Sequence, residues 1–225
     1  DIYPTHGFGP ICQVLDIHRG DRLKTLVSMD TKAVVGPKMW EKVTGERCDY
    51  FKNADHTLTM ISTEKGKTML IQHDVMTPRP YDRLYQVVGT DGYAGKYPIQ
   101  LYCLRENASL EEGYDALGIE KFYSGEALKE LQQKYPNPLM NPEFVELAQS
   151  VGGHGGMDFI MDYRLVYCLH NGLPLDMDVY DLAEWCCITE LSSISLDNGN
   201  MPVAVPDFTR GHWNDVKGYR HAFLD

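Results

Sequence analysis

Two short runs of alternating apolar residues joined by a turn constrain this chain more than any other feature. Over residues 57–75, Leu58 and Met60 mark one run and Met69 and Ile71 the next, with Glu64-Lys65-Gly66-Lys67 between them. Side chains alternate between the two faces of a strand, so period two with a central turn predicts a β-hairpin. A further run over residues 84–88 ends at Thr90-Asp91-Gly92, and another strand is expected over residues 99–104. Asp-Gly between apolar runs is a strong short-range signal for a second hairpin.

The period then changes. A short helix is expected over residues 7–17, entered through Tyr3-Pro4-Thr5-His6, and residues 107–123 read as irregular and acidic. Ser124 can cap a helix running to residue 134, with Leu128 and Leu131 inward. Asn141-Pro142 supplies an N-cap and a proline at the first helical position for a helix to residue 151. Met157, Ile160, Met161, Leu165, Cys168 and Leu169 share a helical spacing that Asn171-Gly172 would close. Asp178 can cap a last helix facing inward through Val179, Leu182, Ala183 and Cys186, and from Asp197 the chain reads as loop. Hairpins followed by helices predict an α+β fold, an open antiparallel or mixed sheet with helices packed on one face.

A chain of 225 residues buries roughly 70–75% of its unfolded surface and needs no metal or disulfide to hold a core. Its net charge of −11 argues against a nucleic-acid groove or an anionic membrane surface, and no apolar run is long enough to span a bilayer. The six cysteines are irregularly spaced without a C-x-x-C pair, so no metal is expected and most should be buried small hydrophobes. The chain starts at Asp1 without an initiator Met or a leader, and is expected to be a piece of a longer protein.

Two glycine runs resemble phosphate loops and fail on context. Gly7-Phe8-Gly9-Pro10-Ile11-Cys12 puts Cys12 at the third glycine position with no strand before it, and Gly152-Gly153-His154-Gly155-Gly156 follows a helix. Three clusters could carry chemistry. Tyr3 and His6 flank the start of a helix, where the N-terminal dipole disfavours an imidazolium; the plain alternative is a buried Tyr with a capping His. Thr77-Pro78-Arg79-Pro80-Tyr81-Asp82-Arg83 sets a phenol between two guanidiniums, suited to a sugar or a carboxylate or to a rigid connector alone. His154 lies among four glycines that would let backbone approach a ligand, or would simply make a turn; Asp158 reads as a first-turn carboxylate.

Taken together, Tyr3-Pro4-Thr5-His6-Gly7, Arg79-Pro80-Tyr81-Asp82-Arg83, His154-Gly155-Gly156-Met157-Asp158-Phe159-Ile160-Met161 and Pro206-Asp207-Phe208-Thr209-Arg210-Gly211 resemble glycoside hydrolase family 109. The motifs occur in family order, and the resemblance is weakest over residues 37–56 and 107–137. It implies the C-terminal domain of the Gfo/Idh/MocA architecture, a single substrate-binding and catalytic domain over residues 1–225, with the N-terminal Rossmann domain absent from this chain. It further implies an NAD-dependent α-N-acetylgalactosaminidase. In such enzymes NAD oxidises the sugar C3 hydroxyl, the C2 proton leaves, the aglycone departs from C1, water adds and the hydride returns. By this resemblance Tyr3 and His6 are catalytic, Tyr81, Arg79 and His154 contact the substrate, and NAD is bound mainly by the missing domain. It implies a glycan or glycoside bearing N-acetylgalactosamine as substrate, a bacterial enzyme of a kind whose full precursor is often exported to the periplasm, and self-association through the sheet involving Leu84, Val87 and the hairpin. The competing readings are a sugar or polyol dehydrogenase of the same superfamily and a non-catalytic carbohydrate-binding or oligomerisation module.

Overall fold

The expected hairpin is the centre of the larger sheet. In a computed structural model that describes residues 3–104, 122–218, 221 and 223, β2 (Thr57–Thr63) and β3 (Thr68–His73) pair antiparallel in the register Thr57↔His73 to Ser62↔Thr68. β1 (Leu23–Asp30) pairs with β2 on the other side, and the two-residue β7 (Val203–Ala204) adds to β1, giving the order β3-β2-β1-β7. The described residues form two compact units. The first joins Asp1–Pro80 to Leu175–Arg220 and holds this sheet with α1 (Thr5–Val14), α2 (Val35–Thr44) and α6 (Val179–Asp197).

α6 packs on β1, and α1 packs on α6. Phe8 and Cys12 from α1, Leu23 and Leu26 from β1, Ile61 and Met69 from the hairpin and Ile188 and Leu191 from α6 close one core. Each large side chain fully buried there contributes about 1.5–3 kcal/mol. Gly9 lets α1 approach closely: a Cβ there would meet the Trp185 ring at 3.0 Å. The helices cover one face of the sheet, as expected, and the other face stays open, with Met29, Met60 and Leu70 about three-fifths exposed.

The second unit, Tyr81–Pro174 with His221–Asp225, holds the order β4-β5-β6. The expected turn at Asp91-Gly92 leads from β4 (Gln86–Val88) into β5 (Gly92–Gly95), a strand the sequence reading did not give. The strand expected over residues 99–104 is β6 (Leu101–Leu104), which pairs with β5 and not with β4. α3 (Gly125–Lys134), α4 (Pro142–Val151) and α5 (Met157–His170) follow. Asn141 caps α4 by accepting from the Glu143 and Phe144 N–H groups. Ser124 precedes α3 without a side-chain cap, although Leu128 and Leu131 are the half-buried positions of that helix.

Several expectations change. The strands divide between two sheets, and every ladder between them is antiparallel, so the mixed alternative is not realised among the described residues. The first helix spans Thr5–Val14 rather than residues 7–17. On α6, Val179 and Leu182 are 68% and 59% exposed and Cys186 is also outside, while Asp181, Glu184 and Ile188 point in. Charge pairing described below turns that helix. On α5, Met157, Met161, Leu165 and Leu169 face out, whereas Arg164 and Cys168 are buried. Arg164 lies 5.4 Å from the Tyr167 and Phe223 rings, so stacking on those rings holds this face in. Cys12, Cys103 and Cys168 are buried as expected, but Cys186 is exposed. Except for Phe122 and Tyr123, the irregular segment 107–123 falls outside the described residues.

Candidate active site

Tyr-Pro-Thr-His places Tyr3 and His6 three residues apart, the spacing at which side chains meet at a helix start. Pro4 is the N-cap of α1, and His6 sits in its first turn. The two rings stack with centroids 4.7 Å apart at 19°, Tyr3 Oη lies 3.4 Å from His6 Nε2, and Thr5 Oγ1 lies 3.3 Å from Nδ1. Either neutral tautomer satisfies both contacts, because the Tyr3 and Thr5 hydroxyls can each donate or accept. Both side chains are exposed, Tyr3 by 59%. The pair can pass a proton between phenol and imidazole and present it outward.

Arg79 lies on a loop of the same unit organised by Asp74. That carboxylate accepts from Met76 N–H, Thr77 N–H and the Thr77 hydroxyl, the last at 2.6 Å, and stands 3.3 Å from His56 Nδ1. Burial pushes the Asp74 carboxyl up, but these hydrogen bonds outweigh it and hold it at about 2. The loop is therefore built on a permanent anion, and the Arg79 side chain is exposed. His73, just before it, has a buried Nε2 without a hydrogen-bond partner, and burial lowers its pKa.

Tyr81 and His154 belong to the second unit. Tyr81 is 71% exposed and accepts from Arg83 Nε, with the guanidinium 5.5 Å from its ring. Tyr97 meets both Tyr81 and Tyr85 edge-on or tilted, each at 6.3 Å, and Lys96 lies over Tyr85 and Tyr97. The result is a cluster of phenols under two cations. His154 projects from the turn between α4 and α5, its Nδ1 within 3.0 Å of both Asp158 carboxylate oxygens. That hydrogen bond and the charge behind it raise the imidazole pKa. Asp158 is thus both a first-turn carboxylate and the partner of His154. The surrounding glycines have a structural cause: Gly152, Gly153, Gly155 and Gly156 all take positive φ, and a Cβ on Gly156 would come within 2.8 Å of the Ala148 carbonyl carbon. The fourth motif is a turn as well, since Asp207 accepts from the N–H groups of Thr209 and Gly211.

Sequence reading missed the most elaborate polar group in the first unit. His18 and Arg19, in the loop between α1 and β1, are buried against the start of α6. His18 Nδ1 donates to Glu184 at 2.8 Å, and Arg19 donates from Nη2 to Asp178 at 3.1 Å and from both terminal nitrogens to Asp181 at 3.2 Å. Asp178 also caps α6 in a reciprocal capping box with Asp181. His18 Nε2 is contested: charged, it donates to Asp178 at 3.3 Å; neutral, it accepts from Arg19 at 2.7 Å. Burial opposes the charged ring, but Asp178, Glu184 and Asp181 prevail and raise it to about 9. His18, Asp178 and Asp181 bring possible ligand atoms within 4.8 Å of one another, but the Arg19 guanidinium is already bonded to both aspartates and supplies the positive charge there. The available signal was the spacing Asp178, Asp181, Glu184 on one helix face, which nothing local links to residues 18 and 19.

No strand, glycine loop and helix follow one another as a dinucleotide cradle among the described residues. Gly7 and Gly9 lie inside α1, and Gly152–Gly156 join two helices. Nor is any described helix long and apolar enough to cross a membrane.

Comparison with known proteins follows this geometry. The family model described as "Glycosyl hydrolase 109, C-terminal domain" matches residues 1–215. A glycosyl hydrolase family 109 protein of Porphyromonas gingivalis is 60% identical over the whole chain, which covers 48% of that protein. Family 109 protein 1 of Bacteroides thetaiotaomicron is 62% identical, again over the whole chain and 49% of its own length. The corresponding protein of Bacteroides fragilis is 60% identical over 99% of the chain. The chain therefore spans about half the length of the bacterial relatives it matches. With nearly every residue inside the family match, the chain belongs to glycosyl hydrolase family 109, as its C-terminal domain.

Proposed function

We propose that residues 1–225 act as the substrate domain of a bacterial, exported α-N-acetylgalactosaminidase that works by NAD-dependent oxidation and elimination. The observation that carries this reading is the stacked Tyr3–His6 pair, which sets a phenol and an imidazole in hydrogen-bond contact at an exposed helix start within a family 109 domain. NAD would supply hydride chemistry when bound, and the family resemblance assigns its binding mainly to a domain beyond this chain. The residues of this chain hold and orient. Tyr3 and His6 work as a proton relay: the phenol oxygen takes up a proton from the sugar as it passes its own to His6 Nε2. Arg79 offers a guanidinium to sugar hydroxyls from its Asp74-anchored loop. Tyr81 and His154 are assigned to further substrate contacts, supported by their exposure and by the cation or carboxylate each already engages.

Self-association through the sheets belongs to the same reading. The open face of the first sheet carries Met29, Met60 and Leu70, and in the second unit Leu84 is 37% exposed. In the intact enzyme, Tyr3→Phe and His6→Ala are each expected to lower kcat by roughly a hundredfold or more, the scale of losing a proton-transfer group. Normal turnover by either folded variant would return both residues to a structural role.

A further inference from the structure

Residues 31–56 connect β1 to β2 and lie outside the site described above. They carry α2 and a return segment that together form an open surface cavity of about 280 Å³ lined by Trp40, Cys48, Tyr50, Phe51, Lys52 and Asn53. We propose that this cavity is a second saccharide subsite, which takes a neutral pyranose of an extended glycan on an aromatic platform. The proposal rests on the carbohydrate reading of the enzyme and is independent of NAD chemistry.

Three observations carry it. First, the cavity is scaffolded rather than a gap in a loose loop. Asp55 accepts from the N–H groups of Val34, Val35 and Gly36 at 3.0–3.4 Å and so pins the start of α2. The Phe51 ring abuts that helix where a Cβ on Gly36 would come within 2.4 Å of it, so glycine is what allows the contact. Gly45, at φ 76°, ends α2, and the Thr44 hydroxyl donates to the Trp40 carbonyl at 2.8 Å.

Second, the chemistry of the lining suits a sugar. Trp40 and Tyr50 are 43% and 80% exposed, which leaves ring surface for the apolar C–H face of a pyranose. The Asn53 amide and the Lys52 ammonium supply donors, and the amide an acceptor, for its hydroxyls. The volume falls below the roughly 300–1,000 Å³ of drug-sized ligand sites, which fits a single ring rather than a nucleotide. A chain of net charge −11 does not attract a polyanionic ligand.

Third, the cavity segment leaves the sheet beside the proposed substrate loop. Asp30, Thr57 and His73 stand in one row of the register, so residues 31–56 and 74–80 emerge from the same end of the sheet. They are stitched together there: Thr31 N–H donates to the His56 carbonyl at 3.0 Å, and the His56 ring meets Asp74, the anchor of the Arg79 loop. A glycan reaching past Arg79 would find the aromatic platform next on that end.

The test uses the full-length enzyme with lactose and methyl β-galactoside as probes, in the presence of excess N-acetylgalactosamine to fill sites for that sugar. Saturation-transfer NMR should show saturable binding in the wild type, weakened about tenfold or more in Trp40→Ala and Tyr50→Ala, the scale of losing an aromatic stacking partner. Hydrolysis of a short aryl α-N-acetylgalactosaminide should stay within twofold in both variants. Tyr50 is exposed enough that its replacement leaves the fold intact, which thermal unfolding verifies. Absence of saturable transfer in the wild type, or equal binding by all three proteins, would overturn the proposal. Failure to cleave the aryl glycoside in every protein would count against the glycosidase reading and leave the binding result to stand on its own.

Discussion

At His18 a buried imidazole is held charged by three carboxylates, and that fixes how stability should depend on pH. The folded value of about 9 exceeds the unfolded 6.5, so the stabilisation is fully present below about pH 6.5 and is lost as pH rises through 9. A shift of this size corresponds to about 3 kcal/mol in order of magnitude. Denaturant titrations should therefore show stability falling between pH 7 and 10, with the slope flattened in His18→Gln; a stability that rises over that range would contradict the assignment. Asp74 and Asp178 act in the opposite sense. Each is held near 2 against an ordinary 3.8, so their contribution is present above the unfolded value and disappears as pH falls through 2. Tyr81 separates binding from chemistry. As a hydrogen bond to a neutral sugar hydroxyl, its loss in Tyr81→Phe should raise KM with kcat unchanged and cost about 0.5–1.5 kcal/mol. A kcat loss of several kcal/mol would make Tyr81 a proton-transfer group instead.

Elements were legible where their signals are local. The first hairpin, the Asp91-Gly92 turn, the Asn141 and Asp178 caps and the Asn171-Gly172 stop are written within a few neighbouring residues, and each stands where the sequence puts it. The faces of α5 and α6 were not legible, because periodicity assumes that apolar residues turn inward. On α6, Arg19 and His18 draw Asp181 and Glu184 in from some 160 positions away, so Val179 and Leu182 turn out. β1 was missed because its alternation is broken by a register shift between Leu23 and Thr25, and β7 because two residues carry no period at all. Among candidate site residues, the Tyr3–His6 contact follows from i, i+3 spacing, whereas the glycines around His154 carry two signals at once, because the α4–α5 turn itself requires their positive φ. The α1–α6 contact offers an element-scale test. Gly9→Ala drives a methyl against Trp185 and should destabilise by about 1–3 kcal/mol, whereas Gly7→Ala meets open space and should be neutral or stabilising by up to about 1 kcal/mol. Equal unfolding midpoints for the two variants would refute the close approach.

At the scale of the molecule, a family 109 C-terminal domain built on two antiparallel sheets presents a phenol–imidazole pair and an arginine loop but, among the described residues, no strand–glycine-loop–helix cradle for a dinucleotide. The 225-residue chain should accordingly fold on its own and show no heat of binding with NAD; micromolar affinity would mean that the domain reading is wrong. The proposed role of the pair is proton transfer, and elimination requires one particular proton to move. The most direct measurement is turnover of an α-N-acetylgalactosaminide by the intact enzyme in heavy water, followed by NMR of the released sugar. Oxidation and elimination predict deuterium at C2, with turnover and exchange falling together in His6→Ala; product released with C2 still fully protonated would contradict the mechanism and point to direct hydrolysis between two carboxylates.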